Sequence, residues 1–316
     1  MADNNKEKFH DLGLDTKASS GTQRALNKDG SFNVKKENVP FSERVNFYHS
    51  LVSMPWARFF ILIISGYFIV NLIFACIYML VGVEHLTGIE GTTGFDKFLE
   101  AFFFSSQTLT TLGYGRIAPV GTAMSSVAAI ESMIGLLSFA LATGMLYGRF
   151  SKPSAKIKYS TCAVIAPYQD INGFMFRVIN PQGNQLLEVE VTVSLSIKRT
   201  SSQMRNFFQL ELERPKVVFL PSTWTIVHPI NSYSPLYALT EKDLIDKDAE
   251  FIIMMKAFDE SFSQTVYSRS SYKASEIKWA EKFVYLIKQE KDGVSVDVGR
   301  IDETERAELN KVLAQP

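Results

Sequence analysis

Hydrophobic and polar positions change their period along this chain, and each change marks an element. From Phe59 to Val83 the sequence "FFILIISGYFIVNLIFACIYMLVGV" carries no charge. A helix needs roughly 20 apolar residues to cross about 30 Å of hydrocarbon, so this run predicts a first transmembrane span. A buried helix of a soluble protein rarely runs so long without charge. Trp56 and Arg58 stand at its start, as an interfacial anchor and a snorkelling cation would. Upstream, "SERVNFYHSLVSMPWARF" is amphipathic and interrupted by Pro55, which predicts a short helix along the membrane surface. Ser125–Tyr147 predicts a second span, with Glu131 as its one charge. Between the spans, Asp96–Leu109 would make only about 21 Å of helix. That is too short to cross and suits a re-entrant helix.

After Pro153 the period falls to two. In "LLEVEVTVSLSIKR", Leu187, Val189, Val191, Val193, Leu195 and Ile197 fall on one face, and Glu188, Glu190, Thr192, Ser194, Ser196 and Lys198 on the other. This alternation predicts a half-buried antiparallel strand. "VVFLPSTWTIVHPI", "EFIIMMKAF" and "KFVYLIKQEKDGVSVDV" add more strands, the last with a hairpin turn at Asp292-Gly293. The fold class is therefore membrane α plus all-β: two transmembrane helices with a re-entrant helix between them, then an immunoglobulin-like β-sandwich. The expected domains are a disordered tail over 1–40, a membrane domain over 41–153, the sandwich over 154–302 and a tail over 303–316. The stretch "DETERAELNKVL" in that last tail predicts a short helix.

Bulk composition narrows the functional classes. The chain of 316 residues has no net charge, so nothing points to a nucleic-acid partner. Its N-terminus lacks the apolar core of a secretory signal. Cys76 and Cys162 show neither a disulfide framework nor metal-site spacing. His10, His49, His85 and His228 are scattered, with no nucleophile–base motif beside them, which argues against an enzyme. No span is rich in arginine, which argues against voltage sensing. Arg149, Lys152, Lys156 and Lys158 cluster after the second span. The loop between the spans holds Glu84, Glu90, Asp96 and Glu100 against Lys97 and Arg116. By the positive-inside rule both termini are cytoplasmic.

The chemistry sits in Thr111-Leu112-Gly113-Tyr114-Gly115. A potassium ion entering a narrow pore loses its water, and backbone carbonyl oxygens can replace it. For successive carbonyls to point the same way, alternate residues must leave the right-handed regions, which glycine does without a Cβ clash. Thr111, Leu112, Gly113 and Tyr114 are the candidate K+ ligands, and Tyr114 could brace the loop from behind. One chain cannot surround an ion, so a homotetramer is expected. No cofactor is expected; potassium is the permeating ion. "GYG" alone could be a turn. Its flanks, a short aromatic helix, two spans and a doubled threonine, favour the pore over a membrane-anchored sensor or a nonselective cation pore.

Three further motifs occur in order: "LATGMLYGRFSKPSAKIKYSTCAVI", "WTIVHPINSYSPLYALTEKDL" and "FDESFSQTVYSRSSY". With the filter they make roughly residues 41–302 resemble inward-rectifier potassium channels, closest to the prokaryotic KirBac branch. The resemblance implies a tetramer in the prokaryotic inner membrane, with a cytoplasmic vestibule of β-sandwiches. On a helical wheel Phe139 and Leu146 lie within about 20° of each other, and Thr143 and Tyr147 drift by about 40° and 80°, a face that could line the cavity. The resemblance puts Tyr147 at the constriction, although an interfacial anchor would also suit it, and Gly144 could supply a bend. It puts Phe139 where strong rectifiers carry an acid. Glu131, about 80° round the wheel from Phe139, is expected behind the filter. Gln107 stands where many relatives have a glutamate. Arg149, Lys152, Lys156 and Lys158 suit anionic lipid head groups or simple positive-inside topology. Lys256-Ala257-Phe258 corresponds to the narrow cytoplasmic pore loop, where Lys256 would face the ion path or pair with Asp259 or Glu260.

Overall fold

The computed structural model describes residues 8–9, 24–33, 38, 40, 47–151, 156–199, 205–220, 222–291 and 293–311. They form two compact units, one over residues 37–152 and one joining 1–36 to 153–316.

The first unit is helical. Helix α1 covers Phe47–Ser53 and α2 covers Trp56–Val81, with Pro55 between them at the N-cap of α2. Proline disfavours helix in the residue before it, so the chain turns at Met54. Helix α3, Gly94–Leu109, opens with a capping box: Thr93 Oγ1 accepts from the Asp96 N–H, and the Asp96 carboxylate accepts from the Thr93 N–H. Helix α4 covers Thr122–Phe150. Among the described residues α2 and α4 are the two helices long and apolar enough to cross a membrane. Ile61, Leu62, Ile64, Phe68, Ile69 and Leu72 of α2 are exposed, as lipid-facing residues are. The inward face of α2, with Phe74, Ala75 and Tyr78, packs on Ala101 and Phe104 of α3 and on Met124 and Ala128 of α4.

The second unit packs a six-stranded sheet against a five-stranded one. The larger has Leu186–Lys198 and Glu250–Asp259 at its centre; the smaller is built around Ile171–Ile179 and Thr223–Ile230. Phe174 of one sheet stacks on Phe251 of the other with ring centroids 4.2 Å apart. Val193, Leu195 and Ile253 fill the space between the sheets.

Four expectations need correction. The alternation of Leu186–Lys198 slips at Glu188, whose φ is +47°, opposite a register shift between Lys256 and Phe258. This β-bulge buries Leu186 in place of Leu187. Lys256, Ala257 and Phe258 accordingly belong to the strand Glu250–Asp259 rather than to a loop. Ala257 is buried in the core, Lys256 is exposed opposite Glu190 and Tyr267, and Asp259 accepts from Asn184 and the turn at Ser261 rather than from Lys256.

The predicted C-terminal helix is instead a strand, Thr304–Arg306, paired with Glu281–Phe283. Beyond it, Asn310 exchanges hydrogen bonds with Asn172, so this segment is part of the sandwich rather than a tail. Strand pairing and a side-chain clasp outweigh the local helical pattern.

Residues 24–33 are likewise packed rather than disordered. They turn back at Asp29-Gly30, with Leu26 bridged to Phe32 and the Gly30 N–H donating to the Asn27 carbonyl. Gly30 has φ +81°, and a Cβ there would lie 2.9 Å from the Arg269 carbonyl oxygen. The buried Glu250 carboxylate accepts from the Ala25 and Leu26 N–H groups, each at 3.1 Å. Lys8–Phe9 pairs with the strand Arg205–Leu210 at one edge of the larger sheet.

His228 of the His-Pro-Ile motif is buried. Its Nδ1 donates to the Glu211 carbonyl and its Nε2 accepts from the Ser234 hydroxyl, 2.7 Å away. Burial holds its pKa below the ordinary value. The unfolded chain takes up the proton first, at about 6.5. The stability this neutral imidazole supports is complete above that pH and falls as the pH drops through the lower folded value. Thermal melts of the detergent-solubilised protein should therefore weaken below about pH 6.5, and His228→Gln should flatten that part of the profile.

Candidate pore segment

Helix α3 ends by turning its last carbonyls onto the loop that follows. The Thr110 N–H and hydroxyl both reach the Ser106 carbonyl, the Thr111 N–H reaches that of Thr108, and the Leu112 N–H reaches that of Gln107 at 2.8 Å. Gln107 thus supports the loop through its backbone. Beyond this knot Thr111, Gly113 and Gly115 have φ of +59°, +52° and +82°, while Leu112 and Tyr114 between them do not enter the positive-φ region. Glycine adopts this conformation freely, and a β-branched threonine only when its surroundings hold it there. Alternation of this kind turns successive peptide carbonyls toward one side. A row of such oxygens can replace the water around a cation. The segment is exposed in the single chain, Tyr114 by 75%. Bracing by Tyr114 is therefore not made within one chain.

A buried polar chain ties the back of this segment to both spans. Ser105 Oγ of α3 lies 3.0 Å from Asn71 Oδ1 of α2 and 2.5 Å from Glu131 Oε1 of α4. The Tyr78 hydroxyl donates to the other Glu131 oxygen, and the Asn71 amide donates to the Tyr67 carbonyl. Asn71, Ser105, Tyr78 and Glu131 are all fully buried. Sequence alone singled out Glu131 and missed its two partners, Ser105 and Tyr78, and Asn71 behind Ser105, since a serine, a tyrosine and an asparagine in apolar runs carry no charge signal. It also missed Gly135. A Cβ at Gly135 would lie 1.9 Å from the Leu109 carbonyl oxygen, so α4 and the end of α3 touch backbone to backbone there.

The far end of the loop carries an ion pair that sequence reasoning did not anticipate. Glu100 Oε1 accepts from Arg116 at 3.0 Å, and Glu100 Oε2 accepts from the Glu90 and Gly91 N–H groups. Leu86–Thr87 pairs with Ala118–Pro119 beside it.

At the other end of α4, Phe139 and Tyr147 are each 74% exposed, and Thr143 and Gly144 are exposed too. The helix runs unbroken through Gly144. Arg149 does not reach outward to lipid. It is buried, donating to the Leu51 and Met54 carbonyls at 2.5 and 2.6 Å, and its guanidinium lies 4.5 Å from the ring centroids of both Trp56 and Phe59. The carbonyls left free where α1 ends and two aromatic faces hold this cation, while its buried Nε has no partner among the described residues. Lys156 and Lys158 are exposed, and Lys152 lies outside the described residues.

Gly135→Ala should force α3 and α4 apart and lower the stability of the assembled protein by about 1–3 kcal/mol. Gly144→Ala, with nothing within 4 Å of the added methyl, should leave it unchanged. Denaturation of the two purified variants checks this contrast.

Comparison with known proteins places these features in a family. The profile of the inward rectifier potassium channel transmembrane domain matches residues 26–153, and that of the C-terminal domain matches residues 157–315. The chain is 31% identical to the inward rectifier potassium channel Kirbac3.1 of Paramagnetospirillum magnetotacticum, over 89% of this chain and 95% of that one. It is 28% identical to the ATP-sensitive inward rectifier potassium channel 12 of Gallus gallus, over 89% of this chain and 71% of that one. A G protein-activated inward rectifier potassium channel 2 from Mus musculus matches at 28% identity over 89% of this chain and 72% of that one. With two spanning helices, a β-sandwich and the Thr111–Gly115 segment, the chain belongs to the inward rectifier potassium channels, on their prokaryotic KirBac branch.

Proposed function

We propose that four copies of this chain form a potassium-selective pore in the prokaryotic inner membrane, with both termini cytoplasmic. The carbonyls of Thr111, Leu112, Gly113 and Tyr114 strip and replace the ion's water. The alternating positive φ at Thr111, Gly113 and Gly115 carries this reading. The exposure of Leu112, Tyr114, Phe103, Leu136 and Leu137 in one chain supports an oligomer, because a membrane protein leaves such a surface to lipid or to its own copies.

Tyr147 is the gate: four such rings close the inner mouth by excluding water. Phe139 and Thr143 line the cavity above it, and Gly144 lets the helix bend on opening. Arg149 couples this gate to α1. Its bonds to Leu51 and Met54 mean that displacement of the surface helix pulls on α4 two residues beyond Tyr147. Lys156 and Lys158, with Lys152, attract anionic lipid to the same end. Lys256 lies on the outer face of its sheet, and as a ring of four in the vestibule it would lower cation density without altering selectivity.

Purified protein in liposomes should pass potassium far faster than sodium, and barium should block that flux. Gly113→Ala should abolish it, and equal sodium flux would refute the selective-pore reading. Tyr147→Ala should raise the flux of a closed preparation. Phe139 offers spermine no carboxylate, so voltage-dependent spermine block should be weak. Strong block lost in Phe139→Ala would contradict that assignment.

A further inference from the structure

The loop residue after the last filter glycine is a cation. Arg116 follows Gly115 directly, so four copies of its guanidinium would ring the outer entrance of the proposed pore. Unopposed, that ring repels the ion the filter is built to take.

Glu100 answers this charge from an unusual place, the flank of α3. Its side chain is only 16% exposed, whereas that of Arg116 is 56% exposed. The carboxylate is preorganised before Arg116 arrives. The N–H groups of Glu90 and Gly91 hold Oε2 at 2.9 and 3.1 Å, leaving Oε1 aimed at the Arg116 guanidinium. Those two N–H groups are available because the loop lies close on α3. A Cβ at Gly91 would meet Asp96 Cβ at 2.8 Å. The backbone of Arg116 is fixed separately. Gly88 packs so tightly that a Cβ there would lie 1.9 Å from the Arg116 carbonyl oxygen, and the pairing of Thr87 with Ala118 closes the same clasp. The clasp sets where the backbone runs, and the carboxylate sets where the positive charge sits.

We propose that Glu100 is a positioning residue of the outer mouth, drawing the Arg116 guanidinium aside and neutralising it so that the entrance does not repel potassium. The inference rests on the pore reading. It assigns Glu100 an electrostatic task distinct from bracing the loop, because Glu100→Gln keeps a carbonyl oxygen for the Glu90 and Gly91 N–H groups while removing the charge and the acceptor that face Arg116.

The test compares wild type, Glu100→Gln, Arg116→Gln and the double variant, as barium-sensitive potassium flux in liposomes. Each is measured at low ionic strength and again with added N-methylglucamine chloride. Glu100→Gln should lose about tenfold in flux at low salt, and the loss should shrink as screening shortens the reach of the charge to about 8 Å near 0.15 M. The double variant, with no cation left to repel, should return to the wild-type level at both salts. Unchanged flux in Glu100→Gln would overturn the proposal. So would a double variant as impaired as Glu100→Gln, which would leave the carboxylate a loop brace only. A wild type that passes sodium as fast as potassium would refute the pore reading itself, whereas a potassium-selective wild type with either of those results refutes the role of Glu100 alone.

Discussion

Backbone polar groups find no water inside a bilayer, so every stretch of non-helical chain there must be paired or must line an aqueous path. That constraint organises the helical unit. The chain between Leu109 and Thr122 leaves helical geometry, and each departure has a partner. The first N–H groups fold back on the carbonyls of α3. The last residues pair with Leu86–Thr87. What remains between them is the short run Thr111–Gly115, whose carbonyls meet no backbone donor among the described residues, and this is the run proposed to meet the ion.

Holding such a run in place requires stiffness on its far side. Polar side chains supply it: Asn71, Ser105, Tyr78 and Glu131 join three helices through hydrogen bonds buried from lipid. A polar group with no alternative partner is costly to separate from the one it has, so the chain resists shear between the helices. Gly135 contributes by absence. Lacking a side chain, it lets α4 touch the end of α3, as small residues do wherever membrane helices pack closely. At the C-terminal end of α4 a charged side chain does the joining, because Arg149 donates to the Leu51 and Met54 carbonyls at the end of α1.

The sequence was most legible where one physical signal dominated. Long apolar runs announced both spans, and period-two alternation announced the strand Leu186–Lys198. Paired glycines around Tyr114 marked the loop. The bounds of the helices were less clear, since α2 and α4 begin earlier and α4 ends later than charge alone suggests. Arg149 was read as a surface cation because a sequence does not show that the carbonyls of Leu51 and Met54 lie within its reach. The C-terminal segment has helical residues, yet its partner strand Glu281–Phe283 decides its form. Residues 24–33 looked like a solvated tail because most of their contacts are to residues more than two hundred positions away. The Asp29-Gly30 turn was the local clue.

That last separation has a consequence for how the protein is made. Ala25 and Leu26 leave the ribosome early, but the Glu250 carboxylate that receives their N–H groups, and the Ser270 and Ser271 hydroxyls that hold the Lys28 and Leu26 carbonyls, are translated near the end. Both spans are synthesised in the interval. The N-terminal strap can lock only after the whole chain has emerged, and contacts of such long sequence separation form slowly. The sandwich is therefore the last unit to be completed, and its closure comes after the helices have met the membrane. Until then the Glu250 carboxylate and the Ser270 and Ser271 hydroxyls lack these partners, and an incompletely packed intermediate of this kind is prone to aggregate.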